Sequence, residues 1–493
     1  MTLFKKSAKL IAILVLSSAL FTCLNHHNGP AQAIEPLCFK SATELTRAIR
    51  HGEVTSLELL NRYVERIAHH NGDINAVVAM DLPAARQRAM DADKALAQGK
   101  VWGPLHGLPM TVKNLFEVVG MPATSVDTIL KEHIPKHNAI AVQRLIDAGA
   151  IIFGKTNVPY HAMDIQSYNE VYGTTDNPWD LSRTPGGSSG GSGAALAAGF
   201  TPLELGSDIG GSIRFPAHYN GVFGHKPTFG IVPRYGHIPP MPGQLPSEYM
   251  PAIPLFVVGP LARSAGDLEL ALDVLTNSES TQSGRKRSNL LPARRDRFSD
   301  YRVAVWFEDA YHGAEIDAEV SASLQLMLKR LRDAGLEIDE AARPGILLQE
   351  SATRWLEIYD QMQMRALPLA EVLIARLKRQ QALWADFFKR YDVLLTPVSS
   401  TVAFPHDHTG DLLSRSFLVN EENKQMIETL AWAYMAVVSG LPATVAPVEL
   451  SRSGLPVGVQ IIGASFEDRT TIDFARGLSE LVGGFKTPPG YKN

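Results

Sequence analysis

The stretch GGSSGGSGAALAAGFTPLELGSDIGGSIRFP, residues 186–216, is the most informative part of this chain. Two of its serines stand out, Ser188 and Ser212, because each follows a pair of glycines, which allow the backbone to approach a ligand closely. Between them, the alanine- and leucine-rich residues 193–199 predict a short helix. The small residues before Ser212 can direct several backbone N–H groups at one point, which is how a protein stabilises an oxyanion. The stretch therefore indicates a serine-based site.

Residues near the end of this stretch carry a resemblance to a known family. Asp208, Gly210, Ser212, Arg214 and Pro216 follow one another as they do in the signature of the amidase signature family. A signature of this length is far more specific than a five-residue motif.

Two further segments extend the resemblance. Residues 107–113, GLPMTVK, resemble the lysine segment of the amidase signature family, and residues 454–463, GLPVGVQIIG, resemble its C-terminal strand. The resemblance thus covers the chain from about residue 41 to its end.

The resemblance implies an α/β fold in which a single large domain, residues 34–493, has a central mixed β-sheet covered by helices on both faces. The sequence pattern agrees, because apolar strand-like and amphipathic helix-like segments alternate from Ser41 onward. Capping boxes at Ser41 and Thr55 predict the starts of two helices. Residues 110–112 predict a strand that delivers Lys113 to its end.

The resemblance also implies a catalytic triad of Lys113, Ser188 and Ser212, with a cis peptide bond between Gly187 and Ser188. Ser212 Oγ would attack a carbonyl carbon, and it needs a base because a hydroxyl is a weak nucleophile. Lys113 can be that base if burial lowers its pKa enough to keep the amine neutral. Ser188 would relay the proton between the other two residues.

The predicted oxyanion hole consists of four successive N–H groups, those of Ile209, Gly210, Gly211 and Ser212. Asp208 and Arg214 flank this loop, and we interpret them as a structural pair rather than as catalysts. The chemistry requires no metal and no organic cofactor, and the predicted partner is a small-molecule amide.

Three other motifs in the chain suggest different chemistry, but in each case the surrounding residues do not fit the function that the motif suggests. Residues 149–156 fit the nucleotide-binding P-loop, but residues 150–153 read as the interior of a strand rather than a polar loop. Residues 186–190 fit a G-x-S-x-G nucleophile elbow, which must follow a strand directly, and here a loop precedes it. The pair His406 and His408 lacks a third metal ligand nearby.

Composition narrows the class of protein further. The chain has 493 residues, enough for a large core, and its net charge of −4 offers no basic surface for nucleic acid.

The N-terminus predicts export. Three lysines form a positive segment, Lys5, Lys6 and Lys9. The apolar residues 10–21 follow, and Ala31-Gln-Ala33 supplies a cleavage site, so residues 1–33 predict a signal peptide. The apolar run is short for a bilayer span, and stable membrane insertion after cleavage is not expected. A lipoprotein anchored at Cys23 is the weaker alternative.

The sequence therefore predicts a periplasmic or extracellular amidase that cleaves a carboxamide C–N bond through an acyl-serine intermediate, releasing a carboxylate and ammonia or an amine. Two alternatives remain open. One is the glutamine amidase subunit of a tRNA-dependent amidotransferase, against which the signal peptide argues because its partner subunits are cytoplasmic. The other is an exported amide-binding protein without turnover. Residues 219–250 and 350–380 are expected to shape the acyl pocket.

Overall fold

The structure is a computed structural model that describes residues 35–239, 241–242, 255–276, 290–309, 314–363 and 371–492. The predicted signal peptide, residues 1–33, and the alternative lipidation site Cys23 lie outside these ranges. Contacts divide the chain into Met1–Leu37 and Cys38–Asn493. Of the first unit only residues 35–37 are described, within the short helix α1, Glu35–Cys38. The second unit is the α/β domain.

Eleven strands of the described chain form one central sheet. In chain order they are β1 (Val77–Met80), β2 (Pro109–Lys113), β3 (Ile151–Thr156), β6 (Leu203–Asp208), β7 (Phe223–Lys226), β8 (Val257–Ala262), β9 (Arg302–Val305), β10 (Glu337–Asp339), β11 (Val393–Pro397), β14 (Ala443–Leu450) and β15 (Pro456–Ile462). Two separate hairpins pair β4 (Tyr168–Asn169) with β5 (Gly173–Thr174) and β12 (Ser416–Val419) with β13 (Glu422–Gln425).

The central sheet is mixed, as predicted. Its strand order is β1-β3-β2-β6-β8-β7-β14-β15-β11-β9-β10. The pairs β2–β3, β2–β6, β9–β10 and β9–β11 are parallel, and the others are antiparallel. Every residue of β2, β3, β6 and β15 is buried. Because successive side chains point to opposite faces of a strand, this burial means that both faces of the sheet are covered.

Helices supply that cover. They are α2 (Ala42–Arg50), α3 (Ser56–Ile74), α4 (Leu82–Ala97), α5 (Ile140–Asp147), α6 (Gly190–Ala197), α7 (Arg214–Asn220), α8 (Ala265–Thr276), α9 (Ala318–Asp333), α10 (Leu348–Gln363), α11 (Glu371–Arg390), α12 (Met426–Thr429), α13 (Ala431–Val438) and α14 (Asp468–Val482). Within the described ranges, none of the helices combines the length and the apolarity needed to cross a bilayer.

Local sequence signals place several of these elements. The capping boxes at Ser41 and Thr55 are both confirmed, and each side chain accepts a hydrogen bond from the N–H of the glutamate three residues later. The predicted helix at 193–199 is α6, which begins earlier, at Gly190. Residues 150–153 enter strand β3, which confirms the rejection of a P-loop there.

Parallel pairing of β2 with β6 brings the predicted site together. Val112 lies opposite Leu205, so the two strands run side by side in the same direction. Parallel strands present their carboxyl ends at the same edge of a sheet, where α/β proteins usually bind ligands. Lys113 ends β2, and Asp208 ends β6 just before the loop that carries Ser212.

Candidate active site

The structure places two of the predicted triad residues, Ser188 and Ser212, on the wall of one cavity, and the third, Lys113, in contact with Ser188. Lys113 Nζ lies 2.7 Å from Ser188 Oγ, and both side chains are buried. Ser212 is 6% exposed and lines the cavity beside Ser188. In the described chain no hydrogen bond joins the two serine hydroxyls, but the Ser189 N–H donates to the Ser212 carbonyl at 3.1 Å. That backbone bond ties the Ser188 loop to the Ser212 loop.

The peptide bond between Gly187 and Ser188 is cis, as the resemblance implies. Close packing explains the glycine at position 187. A Cβ there would lie 2.6 Å from the backbone carbon of Ile165 and 2.7 Å from the carbonyl oxygen of Asp164. A side chain at this position would therefore displace the segment that lines the cavity.

Burial determines the charge state of Lys113. Loss of hydration lowers the pKa of this lysine well below its ordinary value of 10.5, because burial disfavours the charged ammonium. The carboxyl groups of Asp208 and Glu204 raise the pKa but are outweighed. Glu204 has little negative charge at neutral pH, since burial raises its own pKa to about 8. The amine is thus suited to accept a proton.

Two side chains that the sequence analysis did not single out, Ser207 and His237, extend the site beyond the predicted triad. Ser207 Oγ lies 3.1 Å from Lys113 Nζ on one side and 2.9 Å from His237 Nε2 on the other. The other ring nitrogen of His237, Nδ1, lies 3.0 Å from the Pro239 carbonyl oxygen. Ser207 lies in the 186–216 stretch and His237 in the predicted pocket range 219–250, but no local pattern marks either side chain, and 30 positions of sequence separate them.

The predicted oxyanion loop has one member in a different role. The N–H of Gly211 donates to Asp208 Oδ1 at 2.8 Å, so it does not face the cavity as a free donor. The N–H groups of Ile209, Gly210 and Ser212 have no acceptor within the described part of the chain. These three, and not all four, are available to an oxyanion.

Asp208 and Arg214 form the structural pair that the sequence analysis expected. Two hydrogen bonds join them, from Arg214 Nη2 to Oδ1 at 2.9 Å and from Nε to Oδ2 at 3.0 Å, and both side chains are fully buried. Burial alone would raise the pKa of Asp208, but the guanidinium outweighs it and holds that pKa below its ordinary value. The same carboxylate accepts the Ile213 N–H at 3.1 Å, which fixes the turn before α7.

The cavity above the serines has a volume of about 290 Å³. Its walls are mainly apolar and aromatic, including Met163, Phe256, Trp355, Tyr359, Leu430 and Tyr434. The two predicted pocket ranges each contribute, through His237 and Pro239 from 219–250 and through Trp355 and Tyr359 from 350–380. Residues 160–165 and Leu412 also line it, which the sequence did not indicate.

An aromatic stack forms one wall of the cavity. Trp355 stacks on Tyr359 and on Tyr434, with ring centroids 4.9 and 4.5 Å apart and interplanar angles of 13°. The Trp355 indole N–H also donates to the carbonyl oxygen of Ile209 at 2.7 Å. The wall of the cavity is therefore attached to the loop that leads to Ser212.

The described residues include no cluster of three or more histidine, cysteine, aspartate or glutamate side chains that could hold a metal ion. The rings of His406 and His408 are 5.4 Å apart, with no third ligand among the residues that are described.

A mixed α/β domain with a buried lysine beside two glycine-flanked serines defines a class of amide-cleaving enzymes, and comparison with known proteins agrees. The family model described as Amidase matches residues 58–366 and 347–472. The chain belongs to the amidase signature family and is an amide hydrolase.

Individual relatives show the breadth of this family. The chain is 32% identical to a glutamyl-tRNA(Gln) amidotransferase subunit of Anaeromyxobacter sp. (strain K), over 92% of this chain and 98% of that protein. It is 30% identical to fatty-acid amide hydrolase 2-A of Danio rerio, over 92% of this chain and 90% of that protein. A solved structure of an amidase superposes with a TM-score of 0.74 at 29% identity, covering 90% of this chain and 100% of the other.

The buried ion pair gives a prediction about stability. Replacing Arg214 by alanine leaves the Asp208 carboxylate buried without its charged partner, and we expect the free energy of unfolding to fall by about 3–5 kcal/mol. Denaturation by urea, followed by circular dichroism, measures this loss. The exposed pair of Lys329 and Asp333 is the control, because Lys329→Ala should cost less than about 1 kcal/mol. Equal losses in the two variants would contradict the structural role of Arg214.

Proposed function

We propose that this enzyme hydrolyses a neutral carboxamide through an acyl-serine intermediate, with Ser212 as nucleophile, Ser188 as proton relay and Lys113 as base. The single observation that carries the proposal is the 2.7 Å separation of Lys113 Nζ and Ser188 Oγ in a site where burial lowers the lysine pKa. A neutral amine at that distance can accept the Ser188 proton as Ser188 accepts the proton of Ser212.

The reaction balances in two stages. Ser212 Oγ bonds to the carbonyl carbon, its proton passes through Ser188 to Lys113, and the lysine returns the proton to the leaving nitrogen as the C–N bond breaks. Water then attacks the ester, giving one proton to the same relay, which returns it to Ser212 as the C–O bond breaks. The product leaves as the carboxylic acid, which carries the second proton of the water and releases it to solvent to become the carboxylate. Substrate binding has to bring the Ser188 and Ser212 hydroxyls into contact, as catalytic hydrogen bonds often tighten only in the complex.

Backbone donors stabilise the oxyanion of both stages. The N–H groups of Ile209, Gly210 and Ser212 are the candidates, since the Gly211 N–H is held by Asp208. Each donor aimed at the developing charge contributes about 3 kcal/mol in comparable enzymes. The Asp208–Arg214 pair positions these donors without touching the substrate.

The cavity favours a neutral, apolar or aromatic acyl group. Aromatic rings form much of its wall, and the carboxylate found among its described lining residues, Asp164, is in an ion pair with Arg415. Glutamine, a zwitterion, would gain little in such a pocket. The glutamine amidase of a tRNA-dependent amidotransferase, favoured by the identity to the Anaeromyxobacter protein, is therefore the second candidate.

We further propose that the enzyme is exported, on the strength of the lysines, the apolar run and the small-residue site before Ile34. Expression of the full chain in a bacterial host, followed by fractionation and mass spectrometry of the N-terminus, tests this. Recovery outside the cytoplasm with Ile34 as first residue is expected. A lipid-modified Cys23 would support anchoring instead, and an intact chain in the cytoplasm would overturn export.

A fluorophosphonate probe tests the assignment of the nucleophile. We expect it to modify Ser212, located by peptide mass spectrometry, because the probe reacts with activated serines. Lys113→Ala should reduce labelling at least a hundredfold, since general-base catalysis contributes about 10²–10⁴ in rate. Lys155→Met is a matched control, because Lys155 is equally buried but its Nζ donates to a backbone carbonyl. An adduct on Ser188 or Ser189 would show that the nucleophile is wrongly assigned.

Protection from the probe separates the two candidate functions. A neutral aromatic amide such as phenylacetamide should slow the labelling of Ser212 at concentrations at which glutamine does not. Protection by glutamine alone would favour the amidotransferase function.

The lysine base also fixes the direction of the pH dependence. The ammonium form cannot accept a proton, so the labelling rate of Ser212 should be low in acid and rise as Lys113 deprotonates. Since its pKa is lowered well below 10.5, the rise should be complete before that pH. Stopped-time labelling across the pH range measures the profile. A rate that stays flat from acid to alkaline pH would exclude a lysine base.

A further inference from the structure

We propose that His237 is a positioning residue that acts through Ser207 to set the direction of the hydrogen bonds at Lys113, so that the lone pair of the lysine faces Ser188. This inference rests on the proposed role of Lys113 as the base. The residues involved form a chain of polar contacts, from the Pro239 carbonyl through His237 and Ser207 to Lys113.

The Pro239 carbonyl determines the tautomer of His237. A carbonyl oxygen only accepts hydrogen bonds, so Nδ1, 3.0 Å away, carries the proton and donates it. The ring is neutral, because burial, the largest cause, lowers the pKa of His237 to about 3. Its other nitrogen, Nε2, is therefore an acceptor.

The acceptor on His237 determines the direction of the Ser207 hydroxyl. Ser207 Oγ lies 2.9 Å from Nε2, so the hydroxyl donates its single proton there. Towards Lys113, 3.1 Å away, Ser207 Oγ can then act only as an acceptor. Lys113 must donate one N–H to it.

These directions leave the lysine lone pair in one place. A neutral amine has two N–H groups and one lone pair, and here Ser207 takes one N–H at Oγ while its carbonyl, 3.4 Å away, accepts the other. The remaining partner is Ser188 Oγ at 2.7 Å, which faces the lone pair and donates to it. Without an acceptor at position 237, the Ser207 hydroxyl is free to donate to Lys113 and compete with Ser188.

Packing holds the imidazole in this orientation. The ring of Phe116 meets it edge-on, with centroids 5.1 Å apart, and that of Phe256 packs at 4.5 Å. His237 is 4% exposed, so water does not replace its bond to Ser207 easily.

The test compares four variants by the rate at which the fluorophosphonate modifies Ser212 in the full chain. His237→Leu should lower the rate about 10- to 100-fold, as part of the general-base contribution is lost. His237→Gln, whose amide can donate to Pro239 and accept from Ser207, should restore most of it. Ser207→Ala removes the competing hydroxyl, so adding His237→Leu to Ser207→Ala should cause no further loss.

Other results would overturn the proposal. Three results would do so. His237→Leu could keep the wild-type labelling rate, His237→Gln could fail to restore the rate, or His237→Leu could cause the same loss of rate whether Ser207 is present or not. The last would indicate packing rather than hydrogen-bond direction. His106→Leu is the matched control, since it removes a buried imidazole near the start of the strand that carries Lys113.

A spectroscopic measurement on the unaltered protein covers the case in which a variant fails to fold. Nitrogen-15 NMR of labelled histidines, with the His237 signals assigned by difference from His237→Gln, should show that Nδ1 of His237 is protonated and Nε2 is not. The opposite tautomer, or an imidazolium, would overturn the proposal. Unlabelled Ser212 in the unaltered protein, or full labelling in Lys113→Ala, would instead reject the proposed function itself.

Discussion

The burial of one amine, that of Lys113, away from water is the constraint on which this site depends. Three lysines of the described chain are fully buried, and burial lowers the pKa of each. Lys155 donates to the Phe116 carbonyl, and Lys226 to those of Pro227 and Leu441, groups that have no proton to give. Lys113 is different because hydroxyl groups surround it. Burial keeps the amine neutral and so able to accept a proton, but its neighbours decide whether there is a proton for it to take.

The fold supplies that neighbourhood by bringing separate segments to one edge of the sheet. Parallel pairing of β2 and β6 sets Lys113 beside Ser207, and the backbone bond from Ser189 to Ser212 joins the two serine loops. Asp208 then turns the chain after β6 by accepting the N–H groups of Gly211 and Ile213. The buried pair therefore shapes the loop that carries Ser212, which explains a charged pair in so apolar a core.

Much of this arrangement could be predicted from the sequence, because the signals for it are local. Capping boxes, apolar strands and the glycine-rich serine loop are local, so the elements around Ser41, Thr55 and Lys113 were predicted correctly. The contacts of Ser207 and His237 are tertiary, and no local pattern signals them. The role of the Gly211 N–H likewise depends on the direction of one peptide plane, which a run of small residues leaves open. The sequence indicated where backbone N–H donors would cluster, but not which of them would already be hydrogen-bonded within the protein.

The hydrogen bond from Trp355 to the Ile209 carbonyl links the shape of the cavity wall to the direction of a backbone N–H group. In a trans peptide the carbonyl and the following N–H point in opposite directions, so holding the Ile209 oxygen also aims the Gly210 N–H. The tryptophan that forms one wall of the cavity thus sets the direction of a backbone donor. A change that enlarges the cavity at this position also releases the Ile209 carbonyl, so the cavity can change shape without disturbing this loop only along the walls that do not touch it.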